Sequence, residues 1–384
     1  MRLPHRQASP IFCDLRLRLL LLLLQVSGSW LQIWRIVVGA STPPTLLQVA
    51  RLANVSIATA SRVLNDGPRP TTAESRRRVL EAAARLNYRP NAAARAVARG
   101  HADIVGLILH DVTDPYFSAV AASILSAADS HGVTTMVADT RSNSAREAGI
   151  LALLHEQRTR GVIIVGSRTT DRAQERQLEQ EIAAFTAVGG RVVMISERVP
   201  HVSTVTVENS AGARALARAL WELGHRQFAI LSGPPGVRTS RDRVQGFRRG
   251  LAERGIELGP DRIFCNAFYR DGGYRAALEW HSSSIPATCL FAVNDVMAIG
   301  AMAALRSRGV RVPEDVSVAG FDDIPSFADF TPSLTTVRIP LDRLGAEAVA
   351  LVLEQDVPDG GLVRTFRGEV ILRDSTRTID DTIG

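Results

Sequence analysis

Lysine is absent from all 384 residues; every one of the 45 residues counted as Lys or Arg is arginine. Together with the abundance of Ala, Gly and Val, this is the mark of GC-rich coding. Arginine content alone therefore says little about a polyanionic partner, and only its local distribution counts. Cysteine is scarce too. Cys13, Cys265 and Cys289 lie far apart and form neither a CxxC nor a Cys/His ligand spacing. That argues against a disulfide framework or a zinc centre. The spacing fits a reducing compartment, with the thiols expected as small buried hydrophobes. Catalytic signatures are also missing: no P-loop, no Gly-x-Ser-x-Gly elbow, no HExxH, and no GxGxxG at a strand–helix junction. Ser232-Gly233-Pro234-Pro235-Gly236 has a phosphate-loop look but lacks the lysine and the spacing, so it reads as a strand-to-helix turn. Nothing calls for a cofactor or a metal, and the chain does not read as an enzyme.

One apolar run stands apart. Arg16 and Arg18 precede Leu19 to Leu24, and Trp30, Ile33, Trp34, Ile36, Val37 and Val38 follow. The pattern is that of a signal peptide or a weak membrane span. Gln25, Ser27, Gly28, Ser29, Gln32 and Arg35 interrupt it, however, and no small-residue cleavage site precedes Thr45. Residues 1–44 are read as an N-terminal extension, with the true start expected downstream at a GTG codon for Val37 or Val38. A disordered segment and a membrane anchor are the alternatives.

Residues 45–65 carry the most information. Leu46, Val49, Ala50 and Ala53 share one helical face, and Ala60, Val63 and Leu64 share another. Between them Asn54 tolerates the left-handed conformation that a tight turn needs, and Ser56 stands at an N-cap position. This is a helix-turn-helix, whose second helix enters the DNA major groove. A third helix is expected from about Thr72 to Asn87. Over residues 45–100 ten arginines face only Asp66, Glu74 and Glu81, an imbalance that fits a polyanion partner.

After Ala-Ser-Arg-Val-Leu-Asn come Tyr88-Arg89-Pro90-Asn91 and an Ala/Arg-rich stretch ending at Gly100. This order resembles the headpiece of the lactose/galactose repressor family of bacterial transcription regulators, and the resemblance runs on to about residue 376. It implies that the first, second and sixth residues of the recognition helix, Ile57, Ala58 and Arg62, face base edges. Arg62 has the fork for guanine, while Ile57 and Ala58 offer apolar contact to thymine methyls. Thr59 and Ser61 suit phosphates. Thr45, Ser56, Asn65, Tyr88 and Asn91 complete the expected DNA-binding set. Residues 91–100 resemble the family's hinge helix, started by Asn91 after Pro90. At about two turns it is too short to stand alone in water and is expected to need a second subunit and DNA. Val97 sits where the family inserts a leucine wedge into the minor groove.

From Ile104 onward short apolar runs alternate with helical segments. The strands expected are 104–109, 133–137, 162–165, 192–195, 228–231, 290–292 and 316–319. The helices expected are 116–131, 172–188, 210–223, 241–254 and 296–308. Repeated βα units imply open parallel sheets covered on both faces. The residues alone give an α/β domain of two lobes. The resemblance adds the periplasmic-binding-protein-like fold. It places lobe 1 at about 101–205 plus 339–365, lobe 2 at about 206–338 plus 366–376, and a tail at 377–384. The fold class is thus an all-α helix-turn-helix headpiece (45–90) followed by a doubly wound α/β domain.

Matches to the family's effector site are all expected to fall just after strands, where open α/β sheets bind ligands. They are Asp114 with Tyr116 and Phe117, which could wall a pocket, then Arg243 in Arg-x-x-Gly-Phe, Phe268, Asn294 and Asp322. Arg243 would clamp paired hydroxyls or a carboxylate, and Asp322 would accept from ligand hydroxyls. Glu197 and Glu208 depart from the family's usual Asp. Such a set suits a neutral polyol, so a carbohydrate effector is the first expectation, with a purine or a phosphorylated sugar left open. The implied protein is a cytoplasmic regulator, most simply a repressor, that binds double-stranded operator DNA as a homodimer or a tetramer. The competing reading is a secreted or tethered sugar-binding receptor. The helix-turn-helix decides between them.

Overall fold

The protein is described here from a computed structural model covering residues 43–65, 70–90, 96 and 101–379. The chain divides into two compact units, Met1–Arg95 and Ala96–Gly384. The first unit contains α1 (Leu46–Leu52), α2 (Ile57–Leu64) and α3 (Ala73–Arg85). Each helix begins on a hydroxyl side chain that takes up an orphan backbone N–H: Thr45 for Gln48, Ser56 for Thr59, Thr72 for Ser75. Thr45 and Gln48 complete a reciprocal capping box. The expected turn residue Asn54 has φ 49°, in the left-handed region. Val49, Ala50, Ala53, Ala60, Val63, Val79, Ala82 and Ala83 form the buried core. These are small side chains, and they let three short helices pack closely.

The second unit is built on two parallel sheets. The first runs β11–β5–β4–β3–β1–β2, where β1 is Ala102–Leu109, β2 Thr134–Asp139, β3 Thr159–Val165, β4 Arg191–Ile195, β5 Ser203–Val207 and β11 Val363–Phe366. The second runs β7–β6–β8–β9, with β6 Phe228–Ser232, β7 Ile263–Cys265, β8 Cys289–Ala292 and β9 Ser317–Ala319. Central strands such as β3 and β8 are buried along almost their whole length, as two-sided helix cover requires. A separate antiparallel pair joins β10 (Thr336–Arg338) and β12 (Glu369–Ile371). The chain passes from the first sheet to the second after Val207 and returns through β10. It then forms a helix, Leu341–Leu353, and leaves again after β11.

Two glycines show how tightly the helices approach. At Gly246, in the helix Arg238–Ala252, an added Cβ would meet the backbone of Ser210. At Gly345, in Leu341–Leu353, it would meet Ser123 and the Ile124 nitrogen.

Several expectations need correction. Cys265 is exposed at the end of edge strand β7; only Cys289 is buried, and Cys13 lies outside the described residues. The helix expected at 241–254 runs Arg238–Ala252, so Arg243 sits in its second turn, away from any strand end. Helices Glu147–Glu156, Arg270–Ser283 and Leu341–Leu353 were not anticipated. Among the described residues no helix is long and apolar enough to cross a membrane. The Leu-rich segment of residues 19–24 is not among them.

Candidate functional site

In the headpiece, α2 buries Ala60 and Val63, packs Leu64 against the same core and leaves Ile57 and Ala58 exposed. Ile57, at the start of this helix, is 49% exposed. Arg62 folds back along its own helix, with Nε donating to the Ala58 carbonyl at 3.1 Å and Nη2 to Thr59 Oγ1 at 3.2 Å. Thr59 Oγ1 in turn shares a hydrogen bond with Ser56 Oγ at 2.9 Å. Ser61 and Asn65 bond each other at 3.1 Å. Thr45 serves as a cap, and Tyr88 packs against the helical core. Ala58 is exposed beside Ile57. Arg77 is tied to both Glu74 and Glu81 at 2.8 Å, so these two acids weigh on α3 rather than on the α2 surface. Asn91 and Val97 lie outside the described residues.

In the second unit a cavity of about 540 Å³ opens between the lobes, and all seven residues expected at the effector site line it. Asp114 caps the helix Pro115–Ser130, accepting from the Tyr116 nitrogen at 2.8 Å. Burial pushes its carboxyl up to about 6. Tyr116 and Phe117 meet edge to face, ring centres 5.2 Å apart. Phe268 lies on Gly233, where a Cβ would collide with its ring. Asn294 caps the helix Asp295–Ser307 through Oδ1, accepting from Met297 at 2.8 Å.

Arg243 and Asp322 are the polar centre of the second lobe. The Arg243 side chain is 4% exposed and stacks 3.9 Å above the Phe321 ring. Nε donates to Asn209 Oδ1 at 2.9 Å, Nη1 to the Val293 carbonyl at 2.8 Å, and Nη2 to Asp322 Oδ1 at 2.8 Å. Each nitrogen is thus already engaged, and the fork is held in place rather than open as a clamp. Only the second hydrogens of Nη1 and Nη2 remain for a ligand. Asp322 sits at φ 128°, a backbone state that L residues rarely adopt and that clusters at functional sites. Its own backbone holds it there, donating to Val337 at 2.9 Å and accepting from Ile339 at 3.2 Å. Burial lifts its carboxyl to about 7 against the pull of Arg243.

Two features escaped sequence reasoning. One is a second buried guanidinium–carboxylate pair, Arg168 with Glu147, in the first lobe. Arg168 follows β3 at its C-terminal end, so the topological rule that found Asp114 could have found it. The other is a seam between the lobes. The Thr170 nitrogen donates to the Gly236 carbonyl, and Arg238 N to the Arg168 carbonyl, both at 3.1 Å. Thr239 N donates to Ser167 Oγ at 3.0 Å, and Thr239 Oγ1 to Glu197 Oε1 at 2.5 Å. Glu197, noted in the sequence only as a departure from Asp, is a lobe-bridging acceptor.

A helix-turn-helix unit and, in the same chain, a two-lobed α/β unit with a polar interlobe cavity define a class: a DNA-binding regulator that senses a small ligand. Comparison with known proteins agrees. Residues 45–91 match the bacterial regulatory proteins of the lacI family, and residues 217–376 match the periplasmic binding protein-like domain. The HTH-type transcriptional regulator GalS of Salmonella typhimurium (strain LT2) is 32% identical over 312 residues, 81% of this chain and 89% of GalS. The HTH-type transcriptional repressor CytR of Escherichia coli (strain K12) is 31% identical over 347 residues, 88% of this chain and 98% of CytR. The lac repressor dimer bound to operator and the anti-inducer ONPF superposes with a TM-score of 0.76 at 27% identity, covering 88% of this chain and all of that one. The chain belongs to the lacI family of bacterial regulatory proteins, a family of DNA-binding regulators rather than enzymes.

Proposed function

We propose that this regulator is a cytoplasmic homodimeric repressor whose grip on a roughly palindromic operator is set by a small, uncharged sugar. The convergence of Asp114, Tyr116, Phe117, Arg243, Phe268, Asn294 and Asp322 on one cavity carries the effector reading. Aromatic faces with hydrogen-bonding groups between them are what a polyol needs. Charge narrows the class. The two cavity-lining arginines each pair with a buried carboxylate, and Asp111, Asp114 and Asp171 add more negative charge along the lining. A phosphate or carboxylate ligand would enter against that field. The homodimer reading rests on one recognition helix per chain, which makes a symmetric site the economical target, and on the likeness to the lac repressor dimer.

Selection of bound duplexes from a random pool, followed by titration at several salt concentrations, tests the proposal. Enrichment of a palindrome, with affinity falling steeply as salt rises and shifting when a sugar is added, is the expected result. A hundredfold shift corresponds to about 2.7 kcal/mol of coupling. Enrichment of a single asymmetric half-site bound by a monomer would overturn the dimer reading. A tetramer would show itself as a four-chain species in sedimentation.

A further inference from the structure

One buried acid has no part in the cavity described above. Asp295 opens the helix Asp295–Ser307, is 1% exposed and is not among the cavity-lining residues. Its carboxylate accepts from two neutral donors. Thr336 Oγ1 reaches Oδ1 at 2.6 Å, and the Ile324 nitrogen reaches Oδ2 at 3.0 Å. Among the described residues no ion pair balances it. Burying a charge in this way is costly, and burial pushes the carboxyl up to about 6. Its place in the first turn of a helix offsets part of that cost.

Asp295 grips both ends of one short loop. Its own nitrogen donates to the Phe321 carbonyl at 2.8 Å, while its side chain holds the Ile324 nitrogen. Between these two anchors stand Asp322 at φ 128° and Asp323 at φ 55°. L residues rarely adopt such conformations and keep them only where the surroundings impose them. On its other side the loop rests on β10. Asp322 bonds the backbone of Val337 and Ile339, and Asp323 pairs with Arg338 Nε and Arg373 Nη1 at 2.7 Å each. Thr336, the second partner of Asp295, opens that same strand. The buried carboxylate therefore ties the loop to the strand that supports it. Gly320 leaves the room for this: an added Cβ there would strike Asp295 Oδ1.

We propose that Asp295 is a positioning residue of the effector site: by fixing the loop 321–324 against β10 it holds the Asp322 carboxylate where a sugar hydroxyl can reach it. Asp295 touches no ligand and acts through Asp322. A loose loop would leave the acceptor present but misplaced, and a site of this kind is only as good as the shell that holds it. This inference rests on the reading of Asp322 as a ligand acceptor for a sugar.

The test uses the full chain, with D-glucose, D-galactose, D-ribose, cellobiose and lactose as calorimetric probes. Asp322→Asn is measured first, against whichever sugar binds. Asp295→Ala and the double variant then complete a cycle. With Asp322 in place, Asp295→Ala should weaken the sugar by about ten- to a hundredfold, the range for a hydrogen bond to a charged group. In the Asp322→Asn background the same change should cost almost nothing further. Asp295→Asn keeps an oxygen for the Ile324 nitrogen and an amide for Thr336, so it should retain most of the wild-type affinity. Thr336→Val cuts the same brace from the strand side and covers the case in which Asp295→Ala does not fold; its effect should likewise vanish in the Asp322→Asn background. A residue that merely supports the lobe would take the same factor from sugar affinity in both backgrounds, and that result would overturn the proposal. Wild-type affinity in folded Asp295→Ala would do so as well. If no probe binds, or if Asp322→Asn binds as wild type does, the effector reading itself fails before the cycle begins, and this inference goes with it.

Discussion

Replacing Arg243 by alanine is the sharpest probe of the site, because its effect should depend on pH in a specific direction. The guanidinium supports Asp322, Asn209 and the Val293 carbonyl, and its removal leaves a buried carboxylate without a cation. Breaking such a pair costs about 3–5 kcal/mol, and at about 2–3 °C per kcal/mol for a large domain that lowers Tm by roughly 6–15 °C. Asp322 is held near 7 in the intact protein, well above an unfolded aspartate. A folded-state value above the unfolded one means that the native state holds a proton which the unfolded chain has released. Stability then declines as pH rises, until the native group also ionises. In wild type that decline ends near pH 7. Without Arg243 the carboxyl is pushed higher still, and the decline continues, by up to about 1.4 kcal/mol per pH unit. Differential scanning calorimetry from pH 6 to 8.5 should show the gap between wild type and Arg243→Ala widening above pH 7. A gap that stays constant or narrows would mean that Asp322 does not titrate there, and the account of the pair would fail.

Arg62→Ala should cost about 1–3 kcal/mol of discrimination at one base pair per half-site in competition binding, and an equal loss on every sequence would make Arg62 a phosphate contact. Ser56→Ala removes the cap of the recognition helix and should destabilise the headpiece by about 1 kcal/mol in urea titration; no change would mean that the turn is held by packing alone. Affinity for the effector sugar should fall as pH drops through 7 and again through 6, where Asp322 and then Asp114 take up protons and lose acceptor strength. Flat calorimetric titrations over that range would exclude both carboxylates as ligand acceptors.

Much of this was legible from local chemistry. The headpiece could be read because caps, turn and apolar faces are set within a few residues of one another: Ser56, Asn54 and the Ala60–Val63 face stand where the sequence put them. The central strands were readable because burial on both faces makes them continuously apolar. Strand β5, Ser-Thr-Val-Thr-Val, was missed because its threonines mask its hydrophobicity, and β11 because it pairs with a partner more than 150 residues away in sequence. Convergence of the seven cavity residues was anticipated only through family resemblance, since nothing local to Asp114 points to Asp322. The Arg168–Glu147 pair was missed for a plainer reason. Arg168 in a loop and Glu147 at a helix start read as solvated charges until the fold buries them, and only the place of Arg168 just after β3 gave a signal.

The seam between the lobes bears on kinetics. Its four hydrogen bonds, joining Ser167, Arg168, Thr170 and Glu197 to Gly236, Arg238 and Thr239, must part before that side of the cavity opens. At about 0.5–1.5 kcal/mol each, net of water, they hold the open form to roughly one molecule in thirty at most, and to one in ten thousand or fewer at the strong end. If a sugar enters and leaves only through that form, association and dissociation are both slowed by that factor, while affinity for the closed form is unchanged. Weakening the Thr239–Glu197 bond should then speed both arrival and departure. A sensor built this way trades response time for the interval over which it remembers that sugar was present.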